Sequence, residues 1–143
     1  MDRLHPEVAS KEGDIEAHRR AAHGLADAYD PVSWNLQTIM YARMAEPESY
    51  AGPGFPVIWQ RVRHEAQDVK TAYDKNWRRI LSDEPDVGRS VSGILHECTE
   101  VEAAVDRHGW TSHTVANKLD HLLTEVMKFQ DEMSTEARRS VRV

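Results

Sequence analysis

Three carboxylates in the C-terminal half of the chain are the residues best suited to chemistry. Glu97 and Glu100 are three residues apart, so on a helix their side chains are neighbours and can hold a divalent cation together. Asp120 lies at the edge of the apolar face of the next predicted helix, where its carboxylate can be aimed at a neighbouring helix. We call Glu97, Glu100 and Asp120 the acidic set. The sequence predicts a candidate metal site along the flanks of two helices.

The residues around the acidic set resemble the motif of a known family. The run 94–101, ILHECTEV, followed by the run 115–123, VANKLDHLL, is similar to the EExxE, spacer, ExxD pattern of the all-α MazG-like nucleotide pyrophosphohydrolases. Glu97 and Glu100 match the first half of that motif, and Asp120 matches its last acid. His96 and Asn117 stand where that family has glutamate. The resemblance therefore covers three of the expected acids.

The resemblance implies a metal-dependent hydrolase. Mg²⁺ would be bound by the acidic set together with Asn117, with Glu97 and Glu100 as the catalytic residues, for attack of water on the α-phosphorus of a nucleoside triphosphate. Lys118 and Arg107 are the nearby cations expected to neutralise phosphate charge. Members of the family are oligomers that build the pocket between subunits, so a homo-oligomer is also implied. A degenerate relative that keeps the fold without catalysis would carry the same pattern.

The alternative interpretation of the acidic set is structural. Carboxylates on the flanks of a helical pair also occur as solvated or salt-bridged residues that keep the protein soluble and fix the register of the helices. In that case the chain is a non-catalytic helical interaction or assembly protein, whose apolar seams bind a helical protein partner or a second copy.

The histidines offer a second set of potential ligands. His-xxx-acid spacing occurs in the pairs His64/Asp68, His96/Glu100 and His121/Glu125, but His96 and His121 project away from the apolar seams of their helices, so surface ion pairs are predicted instead of a buried metal. His18 lies on the apolar stripe of the first helix, and we expect a partly buried interface histidine there rather than a ligand.

The elements that must position these residues are predicted to be helices. Apolar residues at spacings of three and four indicate an all-α helical bundle, whose last two helices, 87–107 and 112–133, form an antiparallel αα-hairpin with Gly109 in a left-handed conformation between them. The whole chain is predicted to be one domain. Its N-terminal part, 1–45, should contain two helices, one from Ser10 or Lys11 to Tyr29 and one from Asp30 to Ala45. A Pro/Gly loop over 46–56, a three-helix core over 57–133 whose first helix ends at Leu81, and a flexible tail over 134–143 are predicted to follow.

Composition excludes several classes of function. With 24 acidic and 18 basic side chains the net charge is −6, which disfavours general nucleic-acid binding. No window is apolar enough for a signal peptide or a membrane span, and Cys98, the single cysteine, falls on an apolar stripe where a buried thiol is expected. A cytoplasmic location follows as the simplest expectation. Trp59, which lies off the stripe of its helix, is a candidate partner or oligomer contact.

Overall fold

The chain folds as an all-α helical bundle, as the apolar periodicity predicts. The computed structural model describes residues 6–45 and 54–141, and the regular structure in these ranges is entirely helical. In chain order the elements are α1 (Pro6–Ala28), α2 (Asp30–Ala45), α3 (Gly54–Ala72), a π-helical turn (Tyr73–Trp77), α4 (Pro85–His108) and α5 (His113–Val141). None of the described helices combines the length and the apolar character that crossing a membrane requires.

Helix α5 is the element on which most of the others pack. It contacts α1, α2 and α4, while α3 packs between α2 and α4. The residues of its predicted apolar seam are all buried, namely Val115, Leu119, Leu122, Val126, Phe129 and Met133, and the same face continues to Ala137, which is 5% exposed. The predicted end at Met133 is therefore corrected: the helix extends to Val141, because the buried seam continues into the segment interpreted as a flexible tail over 134–143.

The N-terminal helices belong to the same buried cluster as the rest of the bundle. Helix α1 begins at Pro6, earlier than predicted, and α2 has the predicted bounds. Leu25, Tyr29 and Leu36 are fully buried in the cluster that also contains the seams of α4 and α5. The core therefore extends beyond the predicted three-helix segment 57–133, since α1 lies along α5.

Helix α3 differs from its prediction at both ends. Most of the predicted loop 46–56 lies outside the described residues, but α3 already begins at Gly54, since a proline in the first turn of a helix lacks only an amide that would have no partner there. Trp59 is 5% exposed and lies on the buried face of α3, so the prediction of a surface contact is wrong. Its indole packs near that of Trp110, with ring centroids 6.2 Å apart.

The predicted continuation of α3 to Leu81 is interrupted by the π-helical turn Tyr73–Trp77. The N–H of Arg78 donates to the carbonyl of Tyr73 over 2.7 Å, a bond that spans one residue more than an α-helical bond. That additional residue changes the phase of the backbone that follows, so Leu81 is buried, at 1% exposure, while Ile80, which the apolar spacing of an uninterrupted helix places on the buried stripe, is 38% exposed. Irregular turns over 78–83 then lead to α4.

The connection between α4 and α5 is fixed by Arg43 of α2. The Arg43 guanidinium donates to the carbonyl of Trp110 and, over 3.2 Å, to the carbonyl of Ser112. Gly109 has φ 81° and ψ 162°. The predicted positive φ is confirmed, but ψ lies outside the left-handed helical region, in a region that is essentially restricted to glycine.

Candidate functional site in the groove between α4 and α5

Two members of the acidic set face α5. The carboxylate of Glu97 lies 3.7 Å from Nε2 of His121, and that of Glu100 lies 3.9 Å from Nζ of Lys118. The other oxygen of Glu100 is 3.4 Å from Nε2 of His96, which confirms that predicted surface pair. Their i, i+3 spacing on α4 thus brings both glutamates to the same flank, next to cationic groups of α5.

The third acid of the set lies elsewhere on α5. Lys118 and His121, which contact the glutamates, are three residues apart and share one flank of the helix. Asp120 follows Lys118 by two positions, about 200° around the helix axis, and its side chain is exposed. Asn117 is exposed as well. The carboxylate oxygens of Asp120, Glu97 and Glu100 do not all lie within 4.8 Å of one another, so the described part of one chain does not bring the acidic set together around one ion.

The two predicted phosphate-binding cations have different surroundings. Lys118 lies beside Glu100, at the flank where the candidate site was expected. Arg107 is exposed in the last turn of α4, one residue before that helix ends at His108. Only Lys118 of these two is therefore adjacent to a predicted metal ligand.

A groove between α4 and α5 contains Glu97 and a set of further charged residues that the sequence analysis did not assign. Its volume is about 440 Å³, within the usual range for small-molecule sites. Its walls carry both acidic and basic side chains. The lining residues are Asp86, Arg89, Ser90, Gly93, Ile94 and Glu97 of α4, and His121, Glu125, Lys128, Phe129 and Glu132 of α5. We refer to this cavity as the α4–α5 groove.

The charged side of α5 can be recognised in the sequence from its helical spacing, although its residues were not among the predicted site residues. His121, Glu125, Lys128 and Glu132 follow one another at spacings of four, three and four, directly beside the buried seam. The predicted His121/Glu125 ion pair is wrong, because His121 instead pairs with Glu97 across the helix interface. By contrast, the predicted His64/Asp68 pair is confirmed at 3.3 Å.

A different group of ligand atoms converges elsewhere in the described residues. One imidazole and two carboxylates, from His18, Asp83 and Glu84, place their ligand atoms within 4.8 Å of one another, and no other such group of three or more His, Cys, Asp or Glu residues occurs in 13–44 and 54–138.

Comparison of the chain with protein-family models, with curated proteins and with solved structures gives no match.

Proposed function

We propose that the chain is a MazG-like, metal-dependent nucleoside triphosphate pyrophosphohydrolase, or a degenerate relative that retains binding. The observation that carries the proposal is the α4–α5 groove, where Glu97 of the acidic set lines the same cavity as Arg89 and Lys128. A magnesium nucleotide needs this combination, since carboxylates bind the cation and basic side chains neutralise the phosphates.

The donors in the groove fit Mg²⁺ chemically. This ion is commonly held by one or two protein carboxylates, with waters and substrate phosphates completing six oxygen ligands. Glu97 and Glu125 are such carboxylates in the groove wall, and Glu100 lies one turn from Glu97 on the same flank of α4. When bound, Mg²⁺ would polarise the phosphates and the attacking water. The protein contributes the carboxylates, the neutralising cations and the orientation of the nucleotide.

The proposal includes an antiparallel αα-hairpin of α4 and α5 and a homo-oligomer. Pairing of Glu97 with His121, and of Glu100 with Lys118, fits helices that run in opposite directions. Because Asp120 is exposed on another flank of α5, a second copy would have to bring this residue to the glutamates. The resemblance implies the same arrangement, with the pocket between subunits.

The test is a nucleotide panel assayed for pyrophosphate release with and without Mg²⁺. We expect Mg²⁺-dependent release from at least one nucleoside triphosphate, reduced at least about tenfold by Glu97→Gln and by Asp120→Asn. Asp27→Asn is the matched control, since Asp27 is an exposed carboxylate on α1 paired with a surface histidine, and its activity should equal that of the wild type.

Mixing the two inactive variants tests the shared site directly. In a twofold dimer, a mixture of Glu97→Gln and Asp120→Asn chains should recover roughly a quarter of wild-type activity, because mixed dimers contain one intact site. Inactivity of the mixture would reject the shared site. No release from any nucleotide would reject catalysis, and absence of Mg²⁺-nucleotide binding by calorimetry would reject the degenerate relative too.

A second candidate function, homo-oligomeric assembly without catalysis, is favoured by the outer face of α2. Trp34, Tyr41 and Met44 are 72%, 75% and 86% exposed, and their spacing places them on one side of the helix. The two charged residues of α2 point elsewhere: Asp30 accepts a hydrogen bond from Gln130, and Arg43 binds the connection between α4 and α5.

The partner we assign to this face is a second copy of the chain. Copies with a net charge of −6 repel each other, so they can associate most easily through a face without charged side chains. Trp34→Glu should therefore shift the protein from dimer to monomer in sedimentation velocity, whereas Val57→Glu, at a residue exposed on α3, should not. A monomeric wild-type protein would exclude assembly through this face.

A further inference from the structure

A second cavity, unrelated to the α4–α5 groove, lies where α1, the turns before α4 and the end of α5 come together. Its volume is about 640 Å³, and it shares no lining residue with the groove. His18 of α1, Asp83 and Glu84 of the connecting segment, and Glu136 of α5 all line it. Asp14 and Arg79 line it as well, so six ionisable side chains from three separate parts of the chain converge on one cavity.

The central feature of this cluster is the position of the His18 imidazole between two carboxylates. Nε2 of His18 lies 3.8 Å from Oδ1 of Asp83 and 3.8 Å from Oε1 of Glu84. These separations are longer than an N–H···O hydrogen bond, which rarely exceeds 3.2 Å. A metal with ligand bonds of about 2.1 Å places neighbouring donor atoms about 3.0 to 3.5 Å apart, so small side-chain movements would bring all three into coordination distance.

Burial distinguishes this cluster from an ordinary surface ion pair. The His18 side chain is only 15% exposed, whereas the His64 side chain in the surface pair with Asp68 is 78% exposed. The Glu84 side chain is 38% exposed, and the Asp83 side chain is 72% exposed. An imidazole held in place by helix packing is a preorganised nitrogen donor.

The charge of the cavity favours a bound cation. Burial and the neighbouring carboxylates of Glu136 and Asp83 raise the pKa of Glu84. Arg79 also lines the cavity, but it and His18 share the lining with four carboxylates, those of Asp14, Asp83, Glu84 and Glu136. A divalent ion would relieve the repulsion among these acids. His18 itself was interpreted from sequence as an interface residue, and its burial agrees with that, but its imidazole also faces two acids that are distant in sequence.

We propose that His18, Asp83 and Glu84 form a site for a divalent transition-metal ion, with Glu136 as a neighbouring acid that can complete it. One imidazole with carboxylates suits Zn²⁺ and related ions better than Mg²⁺, which prefers oxygen ligands alone. Because the ligands come from α1 and from the segment joining the π-helical turn to α4, the ion links these elements. The site is independent of the α4–α5 groove and of the function proposed for it.

The experiment uses the full-length protein and Zn²⁺ as the probe. After treatment with a chelator, the protein is titrated with Zn²⁺ in competition with a chromogenic chelator, and its Tm is measured with and without the ion. We expect one Zn²⁺ per chain at this site and a rise in Tm, because a ligand that binds the folded state stabilises it. His18→Gln and Asp83→Asn should each weaken the affinity at least about tenfold.

Two controls separate the site from folding defects and from adventitious surface binding. Asp83 is 72% exposed, so Asp83→Asn should preserve the metal-free Tm while losing the ion-dependent increase. His64→Gln removes a histidine of the exposed pair with Asp68 and should leave the affinity unchanged. Equal Zn²⁺ affinity in the wild type and in Asp83→Asn, or loss of binding in His64→Gln instead, would overturn the proposal.

Discussion

The indole Nε1 of Trp59 donates a hydrogen bond to the carboxylate of Glu102 over 3.0 Å, which ties α3 to α4 at a partly buried position. The same carboxylate lies 3.6 Å from Nε of Arg63. Trp59→Phe removes the donor together with part of the buried indole, so we expect the free energy of unfolding to fall by at least about 1.5 to 3 kcal/mol, the range for hydrogen bonds to charged groups.

Urea unfolding followed by circular dichroism measures that loss. Trp34→Phe is the matched control, because Trp34 is 72% exposed, and its stability should be unchanged. In a Glu102→Leu background, which has no acceptor, the effect of Trp59→Phe should become smaller. An undiminished effect there would show that the loss comes from packing and not from the hydrogen bond.

Tyr29 presents the opposite situation, since its buried hydroxyl has no protein hydrogen-bond partner among the described residues. Its ring packs edge to face on Phe129 with centroids 5.5 Å apart, and burial raises the pKa of the phenol. Tyr29→Phe should therefore raise the free energy of unfolding by about 1 kcal/mol, while Tyr41→Phe at an exposed position should not change it. Destabilisation by Tyr29→Phe would reveal that the hydroxyl is satisfied in solution.

Two glycines of one helical region give a matched test of backbone conformation. Gly109 has φ 81°, and Gly93 lies inside α4 with open space around the position of a Cβ. Gly109→Ala should destabilise the protein by about 1 to 3 kcal/mol, whereas Gly93→Ala should stabilise it by about 0.5 to 1 kcal/mol through higher helix propensity. Equal effects of the two substitutions in thermal unfolding would contradict the assigned conformation of Gly109.

Cys98 makes stability dependent on pH in the alkaline range. Burial raises the pKa of this thiol from 9.0 to about 12, so the folded protein keeps the proton above pH 9 while the unfolded chain releases it. The unfolded state then binds fewer protons, and the free energy of unfolding falls as pH increases beyond 9. When the pH is raised from 8 to 10, the free energy of unfolding of the wild type should fall by about 1 kcal/mol more than that of Cys98→Ala. Urea unfolding at each pH measures both values. The same dependence of the free energy of unfolding on pH in both proteins would indicate an accessible thiol.

Local periodicity was sufficient to predict the fold class and most of the buried seams. The apolar positions of α4 and α5 repeat at three and four residues, and the bounds of α2 follow from an Asp-Pro start and a proline after its end. Trp59 was assigned to the wrong face because the stripe was drawn through Ile58, whereas the buried face of α3 runs through Phe55, Trp59 and Val62.

The candidate sites were less accessible to this reasoning because they depend on contacts between helices. Helical spacing predicts the flank of α4 on which Glu97 lies, but it does not predict that His121 of α5 is its neighbour. Likewise, nothing local predicts that His18 meets Asp83 and Glu84, since these residues are far apart in the chain and the intervening helix changes its periodicity. A prediction based on helical wheels assumes an uninterrupted helix and fails at that point.

The π-helical turn Tyr73–Trp77 also bears on how this chain should be aligned with related sequences. A π turn is equivalent to an α-helix with one residue inserted, so a relative lacking one residue here can keep the same packing of α3. In such a relative the residues after the turn also keep their orientation, whereas in a relative of unchanged length with an uninterrupted α-helix they would be rotated by about 100°, and the acids corresponding to Asp83 and Glu84 would no longer face the histidine. An alignment should therefore place a one-residue gap within this short segment, and the spacing from the histidine to the acids, counted with that gap, separates relatives able to form the second cavity's ligand cluster from those that cannot.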